Sequence, residues 1–194
     1  MITSIEVKEK VTDQRKKIHP HKFTLWVAMG SIIMMFAALT SAYIVKRQQP
    51  GWTTFEIPIT FWYSTAVILL SSLTVQLAVK SFKQRSIVEY RRYITATAIL
   101  GVVFILLQLL SFKYIWNEGV TLKGSGAGQF LYIIAGIHIV HVLGGIIALL
   151  VLFIKAFNRK IRSYNSVPIE VASTYWHFVD ILWIYLFIFF LWIH

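Results

Sequence analysis

Residues 175–183 read Tyr175-Trp176-His177-Phe178-Val179-Asp180-Ile181-Leu182-Trp183, and they lie mid-way along an apolar run that extends from about Glu170 to Ile193. The run has the length of a membrane-spanning helix. A histidine and a carboxylate at its centre are expensive to expose to lipid: a central Asp costs about 2.5–3.5 kcal/mol on insertion scales. Both groups are therefore expected to face protein and to find polar partners there.

The rest of the chain supports a membrane protein. Of 194 residues, 57% are hydrophobic, too many for an ordinary soluble domain. Four more windows are long and apolar enough to cross a bilayer: roughly Phe23–Val45, Thr60–Val79, Tyr93–Phe112 and Phe130–Phe153. The expected fold is an all-α integral membrane protein of five transmembrane helices. Residues 1–22 form a polar tail, and residues 23–194 form the transmembrane domain. The tail lacks the short apolar core of a cleavable signal, so the first helix itself is expected to direct insertion.

The net charge of +11 is a statement about topology rather than nucleic acid. Fifteen Lys and Arg lie before helix 1, between helices 2 and 3, and between helices 4 and 5. Only Lys46, Arg47, Lys113 and Lys123 lie on the other side. The N-terminus is thus expected inside and the C-terminus outside, with anionic lipid as the partner of the basic clusters. The chain has no cysteine, which removes disulfides, iron–sulfur clusters and thiolate metal sites from consideration.

Small and polar residues mark the faces that should meet. Helix 2 carries Ser64, Thr65, Ser71, Ser72, Thr74 and Gln76, suited to close approach and interhelical hydrogen bonds. Gly136, Gly144 and Gly145 read as a packing face of helix 4. Phe61-Trp62-Tyr63 reads as an interfacial aromatic belt, and residues 117–128, with four glycines, read as the most flexible loop. Glu170 suits the N-terminus of helix 5.

Helix 4 carries His138 and His141, and helix 5 carries His177 and Asp180; residues three apart share a helix face. Trp176, Asp180 and Trp183 also fall on one face. His141 lies about 16 Å from the outer end of helix 4, and Asp180 lies about 15 Å from the inner end of helix 5. The two levels coincide, so Asp180 or His177 is expected within direct or one-water reach of His138 or His141. Such a cluster serves as a structural tie, as a proton-handling or polar-lipid site, or as a haem or metal ligand set. Against the last, the His138–His141 spacing is too tight for two stacked haems, and no Glu-x-x-His pair is present.

Residues 175–183 resemble the last-helix signature of the haem–copper oxidase subunit III family. Gly136-Ile137-His138-Ile139-Val140-His141-Val142-Leu143-Gly144-Gly145 is similar to that family's Gly-x-His-x-x-His-x-x-x-Gly run. Weaker similarities lie at Leu73-Thr74-Val75-Gln76-Leu77-Ala78 and Leu106-Leu107-Gln108. The resemblance implies the short five-helix bacterial form, in the cytoplasmic membrane. It also implies a subunit of a cytochrome c oxidase that is inactive alone and binds no haem, copper or other metal. Such a subunit packs on the catalytic subunit I, beside other oxidase subunits and structural phospholipids, and supports proton uptake and complex stability. No catalytic residue is expected in it; His138, His141, His177, Asp180, Trp176, Trp183 and Glu170 are expected, from their positions in the sequence, to be buried polar residues with a structural or a proton- or lipid-related role. One departure is clear: the family's Ser-Glu-x-Met-Phe-Phe is here Ser31-Ile32-Ile33-Met34-Met35-Phe36, so no role of that acid carries over. Alternatives are the same fold in a quinol oxidase or nitric oxide reductase assembly and, from a different class, a haem-binding membrane electron carrier.

Overall fold

A computed structural model describes residues 20–48, 52, 57–120, 126–157 and 166–193. They form five long helices: α1 (Pro20–Lys46), α2 (Thr60–Lys83), α3 (Ile87–Asn117), α4 (Gly126–Phe157) and α5 (Val167–Ile193). All five are long and apolar enough to span a bilayer, as expected from the sequence. Without water, each backbone group must be satisfied within its own segment, and helices do this.

Two helix ends are set by left-handed caps. At the end of α2, Arg85 takes φ 61°, its N–H donates to Phe82 O at 3.1 Å, and the Ser86 N–H donates to Ser81 O at 3.0 Å. α3 closes the same way on Gly119 (φ 87°), with Val120 N–H to Ile115 O at 3.2 Å. This bond pair captures otherwise free terminal carbonyls and reverses the chain. The α2 cap folds α3 straight back, and these two helices share the most extensive contact in the molecule.

Helices α2 to α5 form a ring in which α2 meets α3, α3 meets α4, α4 meets α5 and α5 meets α2. α1 lies outside that ring against α4 and α5. α5 therefore has three neighbours and is the most enclosed helix, whereas α1 is the least. The inward stripe of α3 runs Tyr90, Ile94, Thr97, Gly101, Phe104, Gln108, Ser111, Ile115, a strict alternation of four and three. Opposite it, α2 presents Phe61, Ser64, Ile68, Ser71, Val75, Ala78 and Ser81. Large apolar side chains such as Met34, Val140, Ile181 and Trp192 point outward, where lipid or other chains replace water.

Three expectations are corrected here. Phe61 is not part of an interfacial belt: it is 1% exposed and stacks on Trp183, while Trp62 and Tyr63 face outward. A side chain at Gly136 would meet nothing within 4 Å, so it is not a packing glycine. Gly126 and Gly128 belong to α4, so the glycine-rich loop is shorter than read; residues 121–125 lie outside the described residues, as do 1–19.

Candidate functional site

Two tryptophans of α5 fill the centre of the ring. The Trp176 indole lies against α3 and α4, where a Cβ on Gly101 would sit 2.7 Å from its Cη2, and one on Gly145 2.9 Å from its Cε3. Such contacts are far inside van der Waals range, so the glycines make the slot that admits the ring. About two turns later, Trp183 stacks on Phe61 (5.7 Å, 18°), meets Phe104 edge-on (5.2 Å) and leans on the His138 ring (5.2 Å). It thereby touches all three other helices of the ring.

Hydroxyl groups of α2 satisfy the polar edges of these residues. Trp176 Nε1–H donates to Ser71 Oγ at 3.0 Å, and Trp183 Nε1–H donates to Thr65 Oγ1 at 3.0 Å. His177 Nδ1 and Ser72 Oγ are 2.6 Å apart. Toward α3, Gln108 Nε2 donates to Ser64 Oγ at 2.8 Å, Ser111 Oγ donates to Thr60 Oγ1 at 2.6 Å, and the Thr74 and Thr97 hydroxyls pair at 2.9 Å. The polar stripe read on α2 is thus a ladder of bonds to two neighbouring helices. Bonds of this kind inside a membrane contribute about 0.6 kcal/mol each on average, so the ladder acts by number and direction.

The histidines and Asp180 are arranged differently from expectation. His177 turns to Ser72 on α2 rather than to α4. His141 Nδ1 is bonded to Ile137 O of its own helix at 2.8 Å, and the Tyr175 hydroxyl donates to His141 O at 3.1 Å. His138 is fully buried among the rings of Phe36, Phe104 and Trp183, and neither ring nitrogen has a hydrogen-bond partner among the described residues. Asp180 is 2% exposed, and neither of its oxygens has a hydrogen-bond partner among the described residues. The Ser72 hydroxyl is the polar group beside it, without completing a bond by geometry. No direct bond joins Asp180 or His177 to His138 or His141. α5 directs His177, Trp176 and Trp183 toward the α2 hydroxyls.

Glu170 does more than suit a helix start. Its carboxylate meets Lys22 Nζ of α1 at 2.9 Å and Lys83 Nζ of α2 at 3.2 Å. These contacts place the start of α1, the end of α2 and the start of α5 at one end of the bundle. At the other end Tyr43 packs edge-on against Trp52, Phe130 and Phe189. Tyr185, which the sequence reading passed over, shares a hydrogen bond with Thr40 at 2.9 Å and ties α5 to α1. Ile32, where an acid was absent from the expected pattern, packs on the apolar core. No cluster of three His, Asp or Glu side chains suited to a metal ion occurs among the described residues.

The model of the family "Cytochrome c oxidase subunit III" matches residues 51–194, which hold the whole α2–α5 ring with His138, His141, Glu170, His177 and Asp180. The chain belongs to the cytochrome c oxidase subunit III family. Relatives agree along nearly its full length. Cytochrome c oxidase subunit 3 of Bacillus subtilis is 29% identical over 94% of this chain and 95% of that protein. The probable cytochrome c oxidase subunit 3 of Mycobacterium bovis is 32% identical over 83% and 82%, and that of Nocardia farcinica is 32% identical over 89% and 90%. As a subunit III, the chain is a multi-pass membrane component of a haem–copper oxidase. The family match begins after α1, the helix in which the sequence also departs from the expected acidic motif.

Proposed function

We propose that this chain is a supporting subunit without redox centres, packed on the catalytic subunit of a bacterial cytochrome c oxidase, which it keeps stable and supplied with protons during sustained turnover. The observation that carries this reading is the ladder. The inward hydroxyl and indole groups of α2 and α5 are spent on one another, which makes a rigid body whose outer faces are apolar. Those outer faces suit a neighbouring transmembrane subunit on one side and phospholipid on the other.

The histidines support the same reading over that of a haem carrier. His177 is engaged by Ser72, His141 by its own helix, and His138 is wrapped in aromatic rings, so each is held in a separate setting. The names of the relatives favour cytochrome c over quinol as the electron donor of the complex. The end bearing Lys22, Lys83 and Glu170 is the end to which most basic residues belong. By the positive-inside rule it faces the cytoplasm, with the N-terminus inside and the C-terminus outside in the bacterial inner membrane.

Deleting the chain from its host tests the proposal. The purified oxidase is expected to keep its haem and copper spectrum and its initial rate, and to lose activity progressively over continued turnover. Loss of haem or copper from the complex on deletion would contradict a supporting role.

A further inference from the structure

α1 and α2 both pack on α5 but not on each other. At the Glu170 end the gap between them is a cavity of about 440 Å³, walled by Lys22, Gln76, Glu170, Ser173, Thr174 and His177 among others. Its wall mixes these polar groups with Leu25, Trp26, Val79 and Val171. It descends from the Lys22–Glu170–Lys83 ion pairs to the His177 ring. Behind His177 stands Ser72, bonded to it at 2.6 Å, and beside Ser72 stands Asp180 with no protein partner. Asp180 lies ten residues beyond Glu170, about 15 Å deeper along the helix. No residue deeper than His177 on α5 or Gln76 on α2 lines the cavity.

We propose that the cavity is a water-filled half-channel, open only at the Glu170 end, through which Asp180 exchanges protons with the aqueous phase. A buried carboxylate without a protein partner costs several kcal/mol unless water or a proton satisfies it, and a polar space within reach supplies both. The chemistry is one proton transfer: hydronium gives up a proton to one carboxylate oxygen, relayed by His177 and the Ser72 hydroxyl, and leaves water. The charged or titratable groups that bear on this site are Lys22 on α1, Lys83 on α2, His138 and His141 on α4, and Glu170 on α5. The inference goes beyond the supporting role proposed above, and it is framed by the Glu170 end rather than by a side of the cell.

The absence of cysteine allows a direct test in the intact oxidase reconstituted into vesicles. Single variants Gln76→Cys and Ser173→Cys sample the cavity, and Ser64→Cys samples the sealed half. Gln84→Cys and Gln48→Cys mark the two ends. A charged, membrane-impermeant thiol reagent is applied from each side, and modification is read as a mass increase of this chain. Residues 76 and 173 are expected to react only from the side that modifies residue 84, and residue 64 from neither. In infrared spectra, a carboxylic C=O band removed by Asp180→Asn is expected to shift within seconds of transfer into D₂O. Failure of both cavity thiols to react, or reaction from the side of residue 48, would overturn the proposal. So would reaction only after detergent strips bound lipid, which would assign the cavity to a headgroup. An Asp180 band that is absent at every pH or fails to exchange would overturn it as well. These readouts concern this chain's interior, so they stand or fall apart from the turnover result of the deletion strain.

Discussion

Trp183→Ala is expected to destabilise the subunit by about 3–5 kcal/mol, the range for truncating a buried tryptophan. The side chain is fully buried and contacts Phe61 of α2, Phe104 of α3 and His138 of α4 at once. In a bundle surrounded by apolar material, helices gain little from hiding apolar surface and depend on packing and interhelical bonds. Removing a ring that touches three neighbours leaves a cavity that no single helix shift fills. It also leaves the Thr65 hydroxyl without its indole donor. Trp183→Phe keeps most of the stack and loses the bond, so its cost is expected near about 1 kcal/mol. The measurement is the detergent or temperature midpoint at which this chain leaves the purified oxidase. The two variants should separate clearly. Equal midpoints for Trp183→Ala and the parent chain would remove the tryptophan from its central place.

The second large effect is expected at Gly101. Its Cβ position lies 2.7 Å from the Trp176 ring, with Ile146 at 3.2 Å on the other side. Gly101→Leu must therefore expel Trp176 from its slot and break the indole bond that ties α5 to Ser71 of α2. Overpacking of a filled core costs about 1–3 kcal/mol and more where no rotamer relieves it. The expected result is a chain that fails to accumulate in the membrane or to join the oxidase. Gly136→Ala, where added atoms meet nothing within 4 Å, serves as the control and should assemble as the parent does. Normal assembly of Gly101→Leu would show that the slot is loose. Because Trp176 and Gly101 act on the same space, a compensating Trp176→Phe should restore part of the loss.

The number and extent of the helices were legible because lipid forces every crossing into a long apolar run. The ends of α2 and α3 could not be placed closely, since apolar residues continue past the hydrocarbon core and the caps at Arg85 and Gly119 carry only a weak signal. Rotation about the helix axis was harder still. A lipid-facing side and a protein-facing side are both apolar, so hydropathy does not distinguish them. Only the small and polar residues report rotation, and they did so unevenly. The α2 hydroxyl stripe was readable and bonds across to its neighbours, and Trp176, Asp180 and Trp183 are all buried. Gly101 was missed because a single glycine in α3 looks like any other until the indole opposite it is known. That His177 bonds to α2 and not to an α4 histidine was not legible for a related reason. Depth along two antiparallel helices follows from residue counting, but the choice between α2 and α4 as the partner of His177 depends on which way α5 turns. Ser72, three residues before Val75 on the buried side of α2, offered the nearer oxygen.

The same limit applies to α1. Its outward residues include Ser31, Met34 and Ser41, and nothing in their pattern separates lipid from a protein neighbour. What does mark α1 is its attachment. Tyr185 to Thr40 and Lys22 to Glu170 tie it to α5 at two levels.

The central claim, that five apolar crossings sequester their few ionisable groups so as to serve a larger redox neighbour, is tested most directly by isolating the chain through an affinity tag under mild detergent. The account predicts co-elution in fixed proportion with a much larger membrane subunit carrying haem and copper, and a colourless chain once the two are separated. A stable chain that elutes alone, or one that retains a Soret band of its own, would contradict it.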